Sequence, residues 1–215
     1  MTSLIALLIA TPVAIAIGLY LSELAPRGVR GIVGALVETL AALPSVVVGL
    51  WGLLVLAPFL HTGSSFLTAS LVLAIMVVPI TASVCRELFL AVPTDLEEAA
   101  LGLGATRWEM VRGVILPYAR SGVAAGVMLG LGRALGEAIA VTQVIGGFGR
   151  TSWHLLLPGD TLASRIASQY AGAATKLQIA SLVYLAGILL VIALVVNLAA
   201  QLIVRRFEFV RTGGG

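Results

Sequence analysis

Two ionisable residues stand in a stretch that is otherwise apolar. Arg133 and Glu137 lie near the middle of a run, about residues 119–145, long and apolar enough to cross a bilayer. An ionised side chain at that depth costs roughly 2.5–3.5 kcal/mol on insertion scales, so each needs a reason to be there. Their i, i+4 spacing allows an ion pair along one helix face. Gly122, Gly126 and Gly130 precede them at four-residue steps. At about 100° per residue, the glycines, both charges and Ala140 fall in a stripe roughly 80° wide. That stripe joins close-packing surface to a positive and a negative charge, so it must face a partner helix or an aqueous path, not lipid.

Two readings of the pair stand on the residues alone. In one, Glu137 neutralises Arg133 and the pair fixes helix packing, adding little net stability. In the other, Arg133 offers its planar donor fork to an anion, and Glu137 orients the arginine and keeps it from holding the anion too tightly.

The second candidate region is the only long polar interval, Glu98 to Pro117, EAALGLGATRWEMVRGVILP. Thr94 or Asp95 is placed to cap a helix start, and Glu97 and Glu98 suit the first turn and the helix dipole. Gly104 is a helix stop, and residues 105–115 read as a second short helix ending before Pro117. The expectation is a helix–turn–helix on the membrane surface that docks into another protein, with Trp108 helping to dock the short helix.

The elements that position these groups follow from composition. The chain is 60% hydrophobic and 11% charged, with a mean hydropathy of +1.10, against roughly 25% charged in a soluble domain. Continuous apolar runs exclude a β-barrel, whose signature is alternation. Five membrane spans are expected: Leu4 to Leu21, Ile32 to Leu60, Phe66 to Leu88, Ala119 to Ile145 and Leu177 to Val204. The fold is therefore an all-α polytopic membrane protein, one domain over 1–215. The first span is not a signal peptide, because no cation precedes it and no small-x-small site follows. The single cysteine, Cys85, allows no internal disulfide and reads as a small core residue.

Cations set the orientation. With the 93–117 loop inside, nine of the thirteen Lys and Arg fall on the cytoplasmic side: Arg27, Arg30, Arg86, Arg107, Arg112, Arg120, Arg205, Arg206 and Arg211. Arg150, Arg165 and Lys176 fall outside. The C-terminus is then cytoplasmic and the N-terminus external. A first span entering in that direction calls for a preceding helix, so an upstream membrane helix is expected beyond this chain.

Other residues read more plainly. Glu38 suits an interhelical hydrogen-bonding role, Pro44 and Pro79 suit helix kinks, and Trp51 and Trp153 suit packing or interfacial anchoring. His61 and His154 have no metal-ligand spacing. No Walker A sequence and no nucleophile–base constellation is present, so any ATP hydrolysis belongs to another chain. Residues 146–176 read as a long polar-to-mixed segment, and the net charge of +3 sits mostly in loops, which gives no cause to invoke nucleic acid.

Glu98-Ala99-Ala100, Gly104 four residues later, and the closing Val114-Ile115-Leu116-Pro117 resemble the EAA loop of ABC importer permeases; Val114 replaces the family's isoleucine. Gly132-Arg133-Ala134-Leu135-Gly136-Glu137-Ala138-Ile139-Ala140-Val141 is similar to the corresponding helix of PstC-type permease subunits of bacterial phosphate importers. Tyr20-Leu21-Ser22-Glu23, Pro44-Ser45-Val46-Val47-Val48-Gly49 and Pro158 to Ala167 extend the resemblance over most of residues 13–208. It lacks the Glu-Thr-Ala-Pro continuation of PstA-type partners.

The resemblance implies a type I ABC importer permease fold, with cytoplasmic coupling helices in the 93–117 loop. It implies phosphate as solute, in a multi-pass subunit of the bacterial inner membrane. The implied partners are a PstA-like permease, a PstB-like ATPase dimer and a PstS-like phosphate-binding protein. Arg133 and Glu137 would line the solute path. Glu98, Ala99, Ala100, Gly104, Leu116 and Pro117 would couple to the ATPase. No cofactor is expected on this chain, ATP and magnesium belonging to the partner ATPase. A permease for sulfate or molybdate is the near alternative, and an ATPase-independent secondary transporter the distant one. Six spans are usual in PstC-type subunits, which fits the expected upstream helix.

Overall fold

The computed structural model describes residues 1–147 and 154–212, with side chains except at Arg27 and 203–212. Arg150 and Trp153, and the side chains of Arg27, Arg205, Arg206 and Arg211, lie outside the described residues.

The chain forms nine helices among the described residues. They are α1 (Thr2–Leu24), α2 (Arg27–Ala41), α3 (Ser45–Phe59), α4 (Phe66–Leu90) and α5 (Thr94–Gly102). After them come α6 (Arg107–Gly136), α7 (Ile139–Ile145), α8 (Leu162–Tyr170) and α9 (Lys176–Thr212). In hydrocarbon every backbone polar group must be satisfied within the chain, and helices achieve this locally. Four of them, α1, α4, α6 and α9, are long and apolar enough to cross a membrane; the count reaches five if α2 and α3 form one broken span.

Small residues decide how these helices pack. Helix α4 is the hub, with 61% of its apolar window buried, whereas α9 buries 6% of its own. Helix α1 meets α4 through Ala6, Ala10 and Ala14, all fully buried, and through Gly18. A Cβ at Gly18 would sit 2.9 Å from the Cys85 Cβ. On the other side, Gly126 and Gly130 of α6 pack on Val84 and on Thr81 with Val77, at 2.7–3.0 Å from where a Cβ would stand. Gly122 lies against Leu88. The glycine stripe thus faces a partner helix, as its spacing predicts, and the alanine stripe of α1 is a second small-xxx-small surface that the sequence reading passed over.

Three prolines are accommodated by one device. The Ala25 amide donates to the Tyr20 carbonyl, Ala57 to Gly52 and Leu116 to Val111, each reaching back five residues where four is usual. Pro26, Pro58 and Pro117 follow directly. A proline has no N–H and crowds the carbonyl four residues earlier, so a widened turn just before it absorbs both problems.

Four expectations change. Residues 105–115 are not a separate helix: α6 runs unbroken from Arg107 through Pro117, because the widened turn Val111–Ile115 makes room for the ring. The span expected over Ala119 to Ile145 starts earlier and stops at Gly136, restarting as α7. Pro44 breaks its span outright, with α2 and α3 meeting at 95°. A residue before proline is pushed out of the helical region, and the Leu43 amide turns back to Leu40 to close α2. The segment 146–176 contains α8, started by a capping box in which the Thr161 Oγ1 accepts from the Ser164 amide and the Ser164 Oγ accepts from the Thr161 amide.

Candidate substrate path and coupling surface

Helix α6 delivers Arg133 near its end, and Glu137 stands just beyond it. The Glu137 backbone is extended, with ψ 112°, so the residue leaves the helix and is not on the Arg133 face. The pair survives in a looser form, with Arg133 Nη2 4.0 Å from Glu137 Oε2. That separation is Coulombic contact without a hydrogen bond. Glu137 Oε1 instead accepts the Ala140 amide at 3.2 Å, satisfying one of the orphan donors at the start of α7. The carboxylate therefore does local structural work as well as carrying charge.

The two side chains line different cavities. Glu137 belongs to a cavity of about 650 Å³ bordered by α6, α7, α8, α9 and the starts of α1 and α4, with Phe66, Val141 and Leu189 among its apolar lining. Arg133 belongs to one of about 330 Å³ between α2, α3 and α4, lined by Leu40, Val47, Trp51, Ile75 and Met76. Among the described residues lining that second cavity, the guanidinium is the one charged group, set among apolar neighbours. Low polarity there strengthens its field, which is what an anion site needs.

The larger cavity also holds Asp160 and Arg165, joined by a 2.9 Å salt bridge. From sequence, Arg165 counted among the external cations and both residues fell in a resembling segment, but they were not paired. The signal that could have found them was the pair of unlike charges at i, i+5 around the Thr161–Ser164 capping box.

At the opposite end of α6, the spacing of the polar loop acquires a physical cause. Helix α5 ends in a Schellman motif: the Ala105 amide donates to the Ala100 carbonyl at 3.1 Å, and the Gly104 amide to Leu101 at 3.0 Å. Gly104 takes φ +88°, a left-handed conformation that suits glycine. The third residue of Glu98-Ala99-Ala100 and the glycine four places later are thus two ends of one helix cap. Thr106 and Glu109 form a capping box that starts α6. Thr94 and Asp95 do not cap α5; Pro93 occupies the cap position, with Asp95 and Glu97 in the first turn.

The site residues of this loop divide by burial. Ala100, Val114 and Leu116 pack beside Phe89, Met110 and Ile115, anchoring the loop. Glu98, Ala99, Gly104 and Pro117 are exposed. Leu103 is 90% and Trp108 65% exposed, so Trp108 does not pin the loop to its own chain. Glu97 titrates above the ordinary glutamate range, through partial burial first and then the charges of Glu23 and Glu98. Glu38 lies 3.9 Å from Arg86 of α4, an interhelical ion pair where a hydrogen bond was expected.

A hub helix flanked by two close-packed spans, with a capped helix–turn–helix at one end, is a known architecture. The inward-facing MetNI methionine ABC transporter shares it at a TM-score of 0.77, covering 96% of this chain and 91% of that one at 19% identity. An amino acid ABC transporter solved with histidines shares it at 0.61, over 96% and 90%. Residues 11–209 match the family described as binding-protein-dependent transport system inner membrane component, and the chain belongs to that family. Among its relatives, the phosphate transport system permease protein PstC of Mesorhizobium japonicum is 42% identical over 99% of this chain and 72% of its own length. PstC of Xylella fastidiosa is 42% identical over 96% and 71%, and PstC 2 of Mycobacterium tuberculosis 40% over 94% and 70%.

Proposed function

We propose that this chain is a permease subunit of an ATP-driven importer that carries inorganic phosphate across the bacterial inner membrane. The observation that carries the solute is the likeness to PstC proteins along nearly the whole chain. The geometry supports it with a guanidinium set in an apolar cavity and a carboxylate 4.0 Å away to temper its hold.

In this reading, two copies of a PstB-like ATPase bind the exposed loop. Leu103, Trp108 and the Glu98 face are the docking surface, and the Schellman cap keeps it rigid. Closure of the ATPases pushes on residues 94–116. Because α6 is continuous from Arg107 to Gly136, that push reaches Arg133 without a hinge at Pro117, and Glu137 stands just past the helix end. A PstA-like permease completes the path, a PstS-like protein delivers phosphate from outside, and the C-terminus lies in the cytoplasm. ATP hydrolysis belongs to the ATPase chain.

The test is radiolabelled phosphate uptake in a permease-deficient bacterium supplied with the partner subunits and this chain, with and without an added upstream helix. Uptake that is competed by phosphate, and not by sulfate or molybdate, is the expected result. Membrane insertion and ATPase binding without phosphate uptake would transfer the assignment to another oxyanion.

A further inference from the structure

We infer that Arg165, held by Asp160, is a second anion-contacting group on the path, lying on the side of Glu137 remote from the coupling loop. The inference rests on the phosphate reading above and deepens it.

Asp160 is well fixed. Its Oδ1 accepts from the Ser164 hydroxyl at 2.7 Å and from the Thr161 amide at 3.1 Å. Its Oδ2 accepts from Arg165 Nη1 at 2.9 Å. The Asp160 side chain is 17% exposed, whereas Arg165 is 37% exposed. Among the described residues one guanidinium nitrogen of Arg165 is engaged, by Asp160, and the side chain lines the 650 Å³ cavity together with Asp160 and Glu137.

A structural salt bridge at a helix start would serve as well on a closed surface. Here it borders a roomy cavity that both residues line, with the arginine the more exposed of the two. That order suits an arginine that exchanges part of its pairing for a tetrahedral oxyanion, since a fork accepts two oxygens side by side. Asp160 then plays toward Arg165 the part that Glu137 plays toward Arg133. The two pairs are mechanically joined. The Thr142 hydroxyl lies 2.7 Å from the Ala138 carbonyl and 3.4 Å from the Ser164 carbonyl, within reach of either acceptor, which brings the break after Glu137 against α8.

The experiment is equilibrium binding of radiolabelled inorganic phosphate to the complete permease–ATPase complex in nanodiscs, with the binding protein omitted. Arg165→Gln should raise Kd about tenfold, the size of one charge-assisted contact. Arg165→Lys should fall between, keeping the charge without the fork. Asp160→Asn, which frees the guanidinium, should lower Kd. These opposed signs are what a merely structural pair would not produce. Unchanged Kd in Arg165→Gln overturns the assignment, as does equal weakening by Arg165→Gln and Asp160→Asn. A wild-type complex that binds sulfate and not phosphate overturns the phosphate reading alone, and the same opposed shifts are then read with sulfate.

Discussion

The Arg133 guanidinium lies 4.0 Å from the Glu137 carboxylate, yet the two side chains line different cavities. Glu137 is shared between two tasks, counter-charge to Arg133 and cap of α7, and substitution can separate them. Glu137→Gln keeps an oxygen for the Ala140 amide and loses the charge; Glu137→Ala loses both. Uptake should fall in each, but only Glu137→Ala should also lower the melting temperature of the complex, by the equivalent of roughly 0.5–2 kcal/mol, the usual worth of a cap. Arg133→Gln should abolish uptake with the complex still assembled. Disassembly of that variant would make the pair structural.

The coupling loop offers a separation of stability from transmission. Gly104 has open space around the position of a Cβ, so Gly104→Ala meets no clash, only the left-handed backbone at φ +88°. That strain is worth roughly 1–2 kcal/mol and should distort the cap. Glu98→Gln touches an exposed side chain and should leave thermal stability unchanged. ATPase activity that continues while phosphate uptake is lost is the expected signature of both. Normal ATP-coupled uptake in Glu98→Gln would remove that residue from the docking surface.

Helix contact makes a sharper stability prediction. A Cβ at Gly130 would stand 2.7 Å from Thr81 Oγ1 and 2.9 Å from Val77 Cγ1, so Gly130→Ala must push α6 away from α4. Gly31→Ala in α2 meets nothing within 4 Å and should stabilise by about 0.5–1 kcal/mol, as removal of a helix glycine does. Yields of folded, membrane-inserted chain and melting temperatures should move in opposite directions for the two.

Glu97 predicts a pH effect local to α5. Its raised pKa means the folded loop favours the neutral carboxyl more than the unfolded chain does. Its contribution is therefore fully present below the ordinary glutamate value and is lost as pH rises through the raised one. Hydrogen-exchange protection over Thr94–Gly102 should fall across that window in the wild type. In Glu97→Gln the protection should stay flat through it.

Much of the local structure around the candidate site was readable from the sequence. Glu98, Ala100 and Gly104 form a local pattern, closed by hydrogen bonds spanning five residues at most, and local patterns survive translation into sequence. The glycine stripe of α6 was readable for the same reason. Trp108 was not: whether a tryptophan packs against its own chain or stands 65% exposed depends on neighbours distant in sequence. Asp160 and Arg165 were not paired because their significance lies in the cavity they share with Glu137, which several helices distant in sequence border together.

What the chain by itself determined was its class of structure, its apolar runs, the helix stop at Gly104 and a charged pair too costly to be idle. Apolar length and short-range hydrogen bonding are properties of contiguous residues, so sequence carries them directly. Tertiary structure alone decided that α2 and α3 meet at 95°, that α6 passes Pro117 and stops at Gly136, and that Arg133 and Glu137 serve separate cavities. A proline permits a kink, a widened turn or a full break at similar local cost. Which one forms is set by the packing it allows against α4, and that packing is a property of the whole fold.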